Sequence, residues 1–315
     1  MSSFTKVLRQ SFIQLSAPAK LLLLLLLILF FLIMGSVTAV LLSVPVFGYD
    51  LKTLYELIEN PEPGNVDMVK FFQMVQSVFL FLLPALLAAW LFSENGRHYL
   101  KADRSASLYT LTMVLVSLFV AIPLMNSVTY YNSKLDLPAW MNGLENKIKA
   151  MEESAGKLTE LFLESHSYRD LAVNVVMIAI LPALGEELLF RGVLQNLLTD
   201  WTRNRHAGII LAAFLFSFIH FQFYGFIPRF LLGLYFGYLL LWSSSIWVPV
   251  AAHLINNGFA VFYYHFSEKP VGDTAMDKIG TSQEGTYILL LSIFLTAIII
   301  TGIYLHERQK KTSLG

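Results

Sequence analysis

Two adjacent glutamates, Glu186 and Glu187, lie in an apolar run of this chain that is long enough to cross a membrane. Placing an ionised carboxylate in a bilayer costs at least about 2.5 kcal/mol on the mildest scale. No other Asp or Glu falls within a membrane-length apolar segment of the sequence. Acids kept at such a cost are functional by default, so these two carboxylates are the first candidates for chemistry.

The sequence offers neighbours for both carboxylates. Arg191 follows Glu187 by four residues, which places the two side chains on one helix face where they can form an ion pair. Glu186 points about 100° away from that face, so it can meet residues of other helices. Pro182 is expected to loosen the helix, and Gly185 to let a neighbouring helix approach. The alternative is a structural charge cluster at a helix end.

Two histidines and an asparagine follow on later apolar segments. His220 lies near the end of one segment, and His253 and Asn257 are four residues apart in another. That spacing puts His253 and Asn257 on one helix face, which Asn256 can share, and polar groups in an apolar segment need partners there. Each motif alone is also explained by packing or by a hydrogen bond between helices. Together with Glu186, these groups can activate a water and stabilise an oxyanion.

The same side chains leave the question of a metal open. Glu186, His220 and His253 form one carboxylate and two imidazoles, a set that binds catalytic zinc when water completes the tetrahedron. The chain has no cysteine and no His-Glu-x-x-His, which excludes thiolate sites and the common zinc-protease helix. Asn257 is a poor zinc ligand and a good oxyanion donor. We therefore expect that no cofactor is required, with zinc as the alternative.

Composition predicts an all-α, polytopic transmembrane helical bundle. Hydrophobic residues make up 56% of the chain and charged residues 14%, against roughly 25% charged residues in soluble domains. The formal net charge of +0 gives no indication of nucleic-acid binding. A membrane helix needs about 20 mainly apolar residues. About eight segments qualify: Leu21–Val46, Phe71–Phe92, Leu108–Val128, Leu171–Leu189 continuing to about Leu198, Ala207–Phe221, Phe230–Trp242, Ile246–Phe262 and Tyr287–Leu305.

Lysine and arginine orient the predicted helices. The 48–70 loop is rich in acids, whereas basic residues are concentrated in the segments on the other side of the predicted bundle. The positive-inside rule then places both termini in the cytoplasm, of what we expect to be a bacterial inner membrane. The basic residues are Lys6, Arg9, Lys20, Arg97, Lys101, Arg104, Arg203, Arg205, Arg308, Lys310 and Lys311.

Three motifs occur in order on successive apolar segments: Glu186-Glu187-x-x-x-Arg191, Phe216-x-x-x-His220 and His253-x-x-x-Asn257. With their flanks they resemble the CPBP family over roughly residues 170–265. This is the CAAX protease and bacteriocin-processing (Abi) group of intramembrane proteases. The resemblance implies a helical bundle with a cavity open toward the cytoplasm, and an endopeptidase that cuts a membrane-associated protein or peptide.

The resemblance also implies roles for the site residues. Glu186 and His220 would activate the attacking water, and His253 and Asn257 would hold the oxyanion, while Glu187 and Arg191 support them. A catalytically silent scaffold or bacteriocin-immunity-type protein is the alternative, although it would predict degenerate motifs and every motif position here is filled. A transporter using Glu186 in a proton relay lacks the internal repeat expected of that class.

Four regions of the chain are predicted: residues 1–128 with three variable membrane helices, an extramembrane segment at 129–170, the protease-like catalytic core at 171–265, and the last membrane helix with a cytoplasmic tail at 266–315. Helical spacing of apolar residues predicts an amphipathic helix in the 129–170 segment, either a structural cap or a substrate gate. Gly233 and Gly237 predict close helix packing. The remaining histidines are expected at the surface: His98, His166, His206, His265 and His306.

Overall fold

The computed structural model describes residues 9–49, 52–53, 56, 63–164, 167–267, 274–281 and 285–313. Two residues used above, Lys6 and His166, lie outside these ranges. The described residues are helical and contain no strand. The longer helices are α1 (Ala17–Phe47), α2 (Val66–Phe92), α3 (Leu108–Val120), α4 (Ile122–Asn132), α5 (Asn142–Leu163), α6 (Tyr168–Thr202), α7 (Arg205–Phe218), α8 (Phe226–Ser243), α9 (Trp247–His265) and α10 (Thr286–Ser313).

The all-α fold class is confirmed, and each of the eight predicted apolar segments is helical. By length and composition, five helices can cross a membrane: α1, α2, α6, α8 and α10. The pair α3 and α4, bent by 48°, makes a sixth span if it is taken as one. The short apolar helix α7 and the more polar α9 complete the set of eight, so the prediction of about eight is roughly compatible with the structure.

Wide π-helical turns interrupt α2 and α6 at Val78–Leu82, Val175–Ile180 and Leu188–Leu194. The turn at Val175–Ile180 comes just before Pro182, which has no amide proton to donate and whose ring crowds the preceding turn. The predicted loosening of the helix by Pro182 is therefore confirmed. Glu186 and Glu187 lie between two π turns, a distortion that occurs often at functional sites.

Glycines set the closest helix contacts. A Cβ atom at Gly233 would lie 3.0 Å from the Ala213 Cβ of α7, and one at Gly237 would lie 2.8 Å from Ile209 Cγ2. The predicted close packing at these two glycines is confirmed, and the partner helix is α7 of the same chain. Gly185 likewise admits α2, because a Cβ there would lie 2.9 Å from Phe81 Cβ.

One end of the bundle gathers the basic residues between α2 and α3, at the start of α7 and at the end of α10. We call it the basic end. Lys101, Arg205 and Lys311 share a small polar cavity there, of 210 Å³. The loops are joined by hydrogen bonds from Ile246 N–H to the Lys101 carbonyl at 3.2 Å, from the Ser245 hydroxyl to the Arg104 carbonyl at 2.7 Å and from Lys311 Nζ to the Leu241 carbonyl at 2.9 Å.

The amphipathic helix α5 lies at the opposite end of the bundle. Its apolar residues Leu158 and Phe162 pack with Met68 near the start of α2 and Met177 near the start of α6. The helix predicted in the 129–170 segment is therefore present and covers the bundle at this end.

Tyr224, in the loop between α7 and α8, ties that loop to α5. Its amide donates to Glu152 Oε1 at 2.8 Å and its hydroxyl to Glu145 Oε1 at 3.2 Å. Lys149 also lies 2.6 Å from Glu145, and this hydrogen bond holds the pKa of the Glu145 carboxyl below its usual range. These contacts fix α5 over the loop that follows α7.

His265 does not lie at the surface as expected, because it is only 5% exposed. Its ring packs 6.3 Å from Tyr168 at the start of α6 and 4.9 Å from Phe266. The sequence shows that His265 lies near the end of an apolar segment, but it does not show that α6 begins beside it. His98 and His206 are exposed as expected.

Gly233→Ala tests the α7–α8 contact. The new methyl group would meet Ala213 Cβ at 3.0 Å and Cα at 3.1 Å, so we expect a loss of about 1–3 kcal/mol of unfolding free energy from overpacking. Gly258→Ala is the matched control, because the nearest atom lies 3.9 Å away. Unfolding in detergent micelles measures both variants. Equal stability of the two would contradict the close contact.

Candidate active site

Glu187 is completely buried and accepts two hydrogen bonds on the same oxygen. Arg191 Nη1 and His253 Nδ1 each lie 2.8 Å from Glu187 Oε1. The ion pair predicted from the four-residue spacing is therefore present. The structure adds that the same carboxylate ties α6 to α9. The other oxygen, Oε2, is buried and has no hydrogen-bond partner among the described residues.

The Arg191 guanidinium is only 1% exposed and is held from three sides. It lies 4.4 Å from the ring centroid of Phe216 and 5.3 Å from that of Phe236. Nη2 donates to the Gly233 carbonyl at 3.2 Å. The close approach of α8 at Gly233 thus provides an acceptor for this buried cation. Phe216 packs against both the cation and the site histidines.

Two aromatic rings and a hydrogen bond at Nδ1 fix the His253 ring. Its plane stacks on Phe236 at 5.4 Å, and Phe216 meets it edge-on at 6.2 Å. Since Nδ1 is hydrogen-bonded to the Glu187 carboxylate, the proton of the neutral ring belongs on Nδ1. The remaining nitrogen, Nε2, faces Asn257 Nδ2 at 3.1 Å and Glu186 Oε2 at 4.0 Å.

Asn257 has the His253 partner predicted from their four-residue spacing. Its amide nitrogen also donates to the Ile178 carbonyl at 2.9 Å, within the π turn of α6. Asn256 shares the face, as expected, and donates to Asn257 Oδ1 at 3.1 Å. The Asn257 amide is therefore fixed from both sides.

Glu186, His220, His253 and Asn257 all line one cavity of 550 Å³. The Glu186 carboxylate receives no hydrogen bond from the described part of the chain, although the residue is only 8% exposed. His220 Nδ1 lies 2.8 Å from the Phe216 carbonyl, so Nδ1 carries the ring proton and Nε2 is left as an acceptor. The two groups expected to share a water are therefore brought to one cavity without touching each other.

The three residues considered for zinc, Glu186, His220 and His253, are not brought together as a set of metal ligands. Within the described ranges, no group of three or more His, Asp or Glu side chains is spaced to hold one. The Nε2 atom of His253, which would have to ligate, is instead paired with Asn257.

The cavity extends from the middle of the bundle to the end covered by α5. Ala155, Leu158 and Phe162 of α5 form part of its wall. It therefore lies toward the end opposite the basic end. Sequence reasoning missed four polar residues in the wall: Gln73, Thr159, Gln222 and Arg229. Arg229 could have been noticed from the sequence, because it is a single arginine that directly precedes the apolar run containing Gly233.

The Glu187–Arg191 pair can be tested by a double-mutant cycle. Arg191→Met leaves the Glu187 carboxylate buried without its cation, which we expect to cost about 3–5 kcal/mol of unfolding free energy. Adding Glu187→Gln removes the buried charge while keeping an acceptor for His253, so the double variant should be more stable than Arg191→Met. Chemical denaturation in micelles measures the cycle, and simple additivity of the two substitutions would count against the buried pair.

Comparison with known proteins bears on this site. Residues 168–259 match the model of the family described as type II CAAX prenyl endopeptidase Rce1-like. All six candidate site residues fall within this range. The uncharacterized protein YpbD of Bacillus subtilis (strain 168) is 29% identical over 106 residues, which cover 29% of this chain and 51% of YpbD. The alignment thus spans about half of that relative's length. No solved structure matches the chain.

The matched range contains the helices that meet around Glu187, namely α6, α8 and α9, together with α7. Of these helices, α6 and α8 are long and apolar enough to cross a membrane, as are α1, α2 and α10 elsewhere in the chain, which supports an integral membrane protein. The resemblance seen in the motifs is confirmed for this part of the chain: residues 168–259 are similar to the type II CAAX prenyl endopeptidase Rce1-like family.

Proposed function

We propose that this protein is an intramembrane endopeptidase that hydrolyses a peptide bond of a membrane-associated protein or peptide. One observation carries the proposal. Glu186, a carboxylate with no hydrogen-bond partner among the described residues, shares an internal cavity with a fixed histidine–asparagine pair. A base without a partner beside paired polar groups is the arrangement that hydrolysis by an activated water needs.

In this proposal, Glu186 is the general base. A water between Glu186 and His220 Nε2 would lose a proton to the carboxylate while its oxygen bonds to the carbonyl carbon of the substrate. Glu186 would then return that proton to the departing amine as the C–N bond breaks. His220 orients the water as a second acceptor, because its Nδ1 proton is already used by the Phe216 carbonyl.

His253 and Asn257 would stabilise the oxyanion of the tetrahedral intermediate. Glu187 holds Nδ1 of His253, so any second proton on the ring must lie on Nε2. When Nε2 binds a proton taken up from solvent, that nitrogen can no longer accept from Asn257, which frees one amide N–H of Asn257. Asn257, which donates to His253 in the resting pair, and His253, which accepts, would then both donate into the cavity. Glu187 and Arg191 act as positioning residues for this pair.

Substitution of the proposed base should abolish turnover. For purified protein with a fluorogenic peptide library that includes lipidated peptides, we expect Glu186→Gln and His253→Asn to lower kcat by about 100-fold or more. His220→Gln should give a smaller loss. Glu94→Gln, an exposed carboxylate between α2 and α3, is the matched control. A metal chelator should leave turnover unchanged.

Three results would contradict this proposal. Full activity of Glu186→Gln would exclude Glu186 as the base. Loss of activity with chelator, together with stoichiometric zinc in the active protein, would assign the water to a metal. Absence of turnover from every peptide by folded protein would favour a silent scaffold or immunity-type protein.

We further propose that the cavity opens away from the cytoplasm of a bacterial inner membrane. The cavity reaches the α5 end, and the basic residues that favour the cytoplasmic side lie at the other end. Both chain termini would then be cytoplasmic, and α5 would lie outside. This orientation differs from the cytoplasmic opening implied by the family resemblance.

Cysteine labelling decides the orientation, because the natural chain has no cysteine. Ser154 on α5 and Ser105 at the basic end are both exposed. We expect a membrane-impermeant maleimide to label Ser154→Cys in right-side-out vesicles and Ser105→Cys in inverted vesicles. The reverse pattern would place the cavity opening in the cytoplasm and overturn this part of the proposal.

A further inference from the structure

Arg229, in the first turn of α8, has a guanidinium in the wall of the cavity that contains Glu186. One of its amino groups, Nη2, donates to Gln222 Oε1. The other, Nη1, is buried and has no hydrogen-bond partner among the described residues. None of the ion pairs formed within the described ranges includes Arg229. The wall of the cavity therefore contains an arginine that forms no ion pair with the described residues and has one donor group left unused by them.

The loop before α8 is shaped to hold this guanidinium. Gly225 lies directly against it, and a Cβ atom there would collide with Nη1 and lie 3.0 Å from Cζ. The same loop carries Gln222 and is anchored to α5 through the Tyr224 amide and hydroxyl. Arg229 is thus held in place by its surroundings, unlike a long side chain that moves freely in solvent.

Two carboxylates act electrostatically on Arg229, but neither forms an ion pair with it. They belong to Glu152 and Glu186. Glu152 Oε1 accepts the Tyr224 amide, and Glu186 is the proposed base. The contrast with Arg191 is direct, since that cation is paired with Glu187 at 2.8 Å.

A buried donor left without a partner is costly, and the planar fork of a guanidinium matches the two oxygens of a carboxylate. We propose that Arg229, supported by Gln222 and Gly225, binds a carboxylate of the peptide substrate and so determines which bond reaches Glu186. This inference rests on the proposed function, because the cavity must admit a peptide. The carboxylate is either the C-terminus of the substrate or an acidic side chain.

An anchor of this kind would serve catalysis as well as selection. Arg229 and Glu186 belong to the same cavity wall, so a carboxylate bound to one fixes the distance along the peptide to the bond attacked at the other. Interactions with a group that does not react can then be used to orient the group that does. A purely structural role for Arg229 would be met by its hydrogen bond to Gln222 and would not explain why Nη1 has no partner among the described residues.

Peptide binding without cleavage tests Arg229 separately from the protease. The probe is a set of N-terminally labelled apolar peptides, each made in three forms. The first has a free C-terminal carboxylate and the second a C-terminal amide. The third ends in Glu and is also amidated, so that its only carboxylate is the Glu side chain. Binding to Glu186→Gln protein in micelles is followed by fluorescence anisotropy. We expect at least one carboxylate-bearing form to bind about tenfold or more tightly than the plain amide.

Arg229→Gln should remove this preference without weakening the plain amide, and Arg229→Lys should keep part of it. Preference for the free C-terminus or for the Glu side chain identifies the source of the carboxylate, and either supports the proposal. In cleavage by otherwise unaltered protein, Arg229→Gln should raise KM for the preferred form alone. Gly225→Val, which displaces the guanidinium, should act in the same direction.

Equal binding of acid and amide forms by protein with Arg229 intact would overturn the inference, and this comparison needs no variant to fold. An equal loss of both forms in Arg229→Gln would assign Arg229 a structural role. Acid-selective binding that depends on Arg229, found without any turnover, would uphold the carboxylate site and reject the protease.

Discussion

The buried carboxylate of Glu187 is the interaction on which the site depends. A charge with 0% exposure is tolerable only when it is paired and hydrogen-bonded. Arg191 supplies the charge and His253 the second hydrogen bond. Through these two partners one oxygen joins α6 to α9, and the Gly233 carbonyl extends the network to α8. Removing any member would leave a polar group without a partner in an apolar bundle, so the network fixes helix positions as well as side chains.

Because Glu187 forms the contacts that join the helices, the Glu186 carboxylate is not needed for them. The neighbouring carboxylate points to the cavity, lies 4.0 Å from His253 Nε2 and receives no hydrogen bond from the described residues. Two identical residues thus acquire different surroundings through their directions on one helix: Glu187 is bound through one oxygen to Arg191 and His253, whereas Glu186 lines the cavity. The same contrast separates Arg191 from Arg229: Arg191 is neutralised by Glu187, whereas Arg229 forms no ion pair with the described residues and has one amino group, Nη1, without a hydrogen-bond partner among them.

Local patterns predicted what depends on spacing along one helix. The Glu187–Arg191 pair, the His253–Asn257 contact, the effect of Pro182 and the glycine contacts of α8 all follow from such spacing. The apolar runs likewise predicted every membrane-length helix. Contacts between helices could not be read in this way: the hydrogen bond from His253 to Glu187, the burial of His265 and the position of Arg229 depend on which helices become neighbours. No single segment of the sequence carries that information.

The direction of the cavity connects the site to the membrane. The hydrophobic bundle has two polar ends, and the structure places the cavity and α5 at one and Lys101, Arg205 and Lys311 at the other. Burial, together with the charges of Lys311, Arg104 and Arg205, lowers the pKa of Lys101 to about 8. The basic residues gathered at this end favour the cytoplasmic side. A cytoplasmic cavity would require this end to cross the membrane. In the proposed orientation, charge bias and cavity position agree, and α5 covers the end of the bundle toward which the cavity lies.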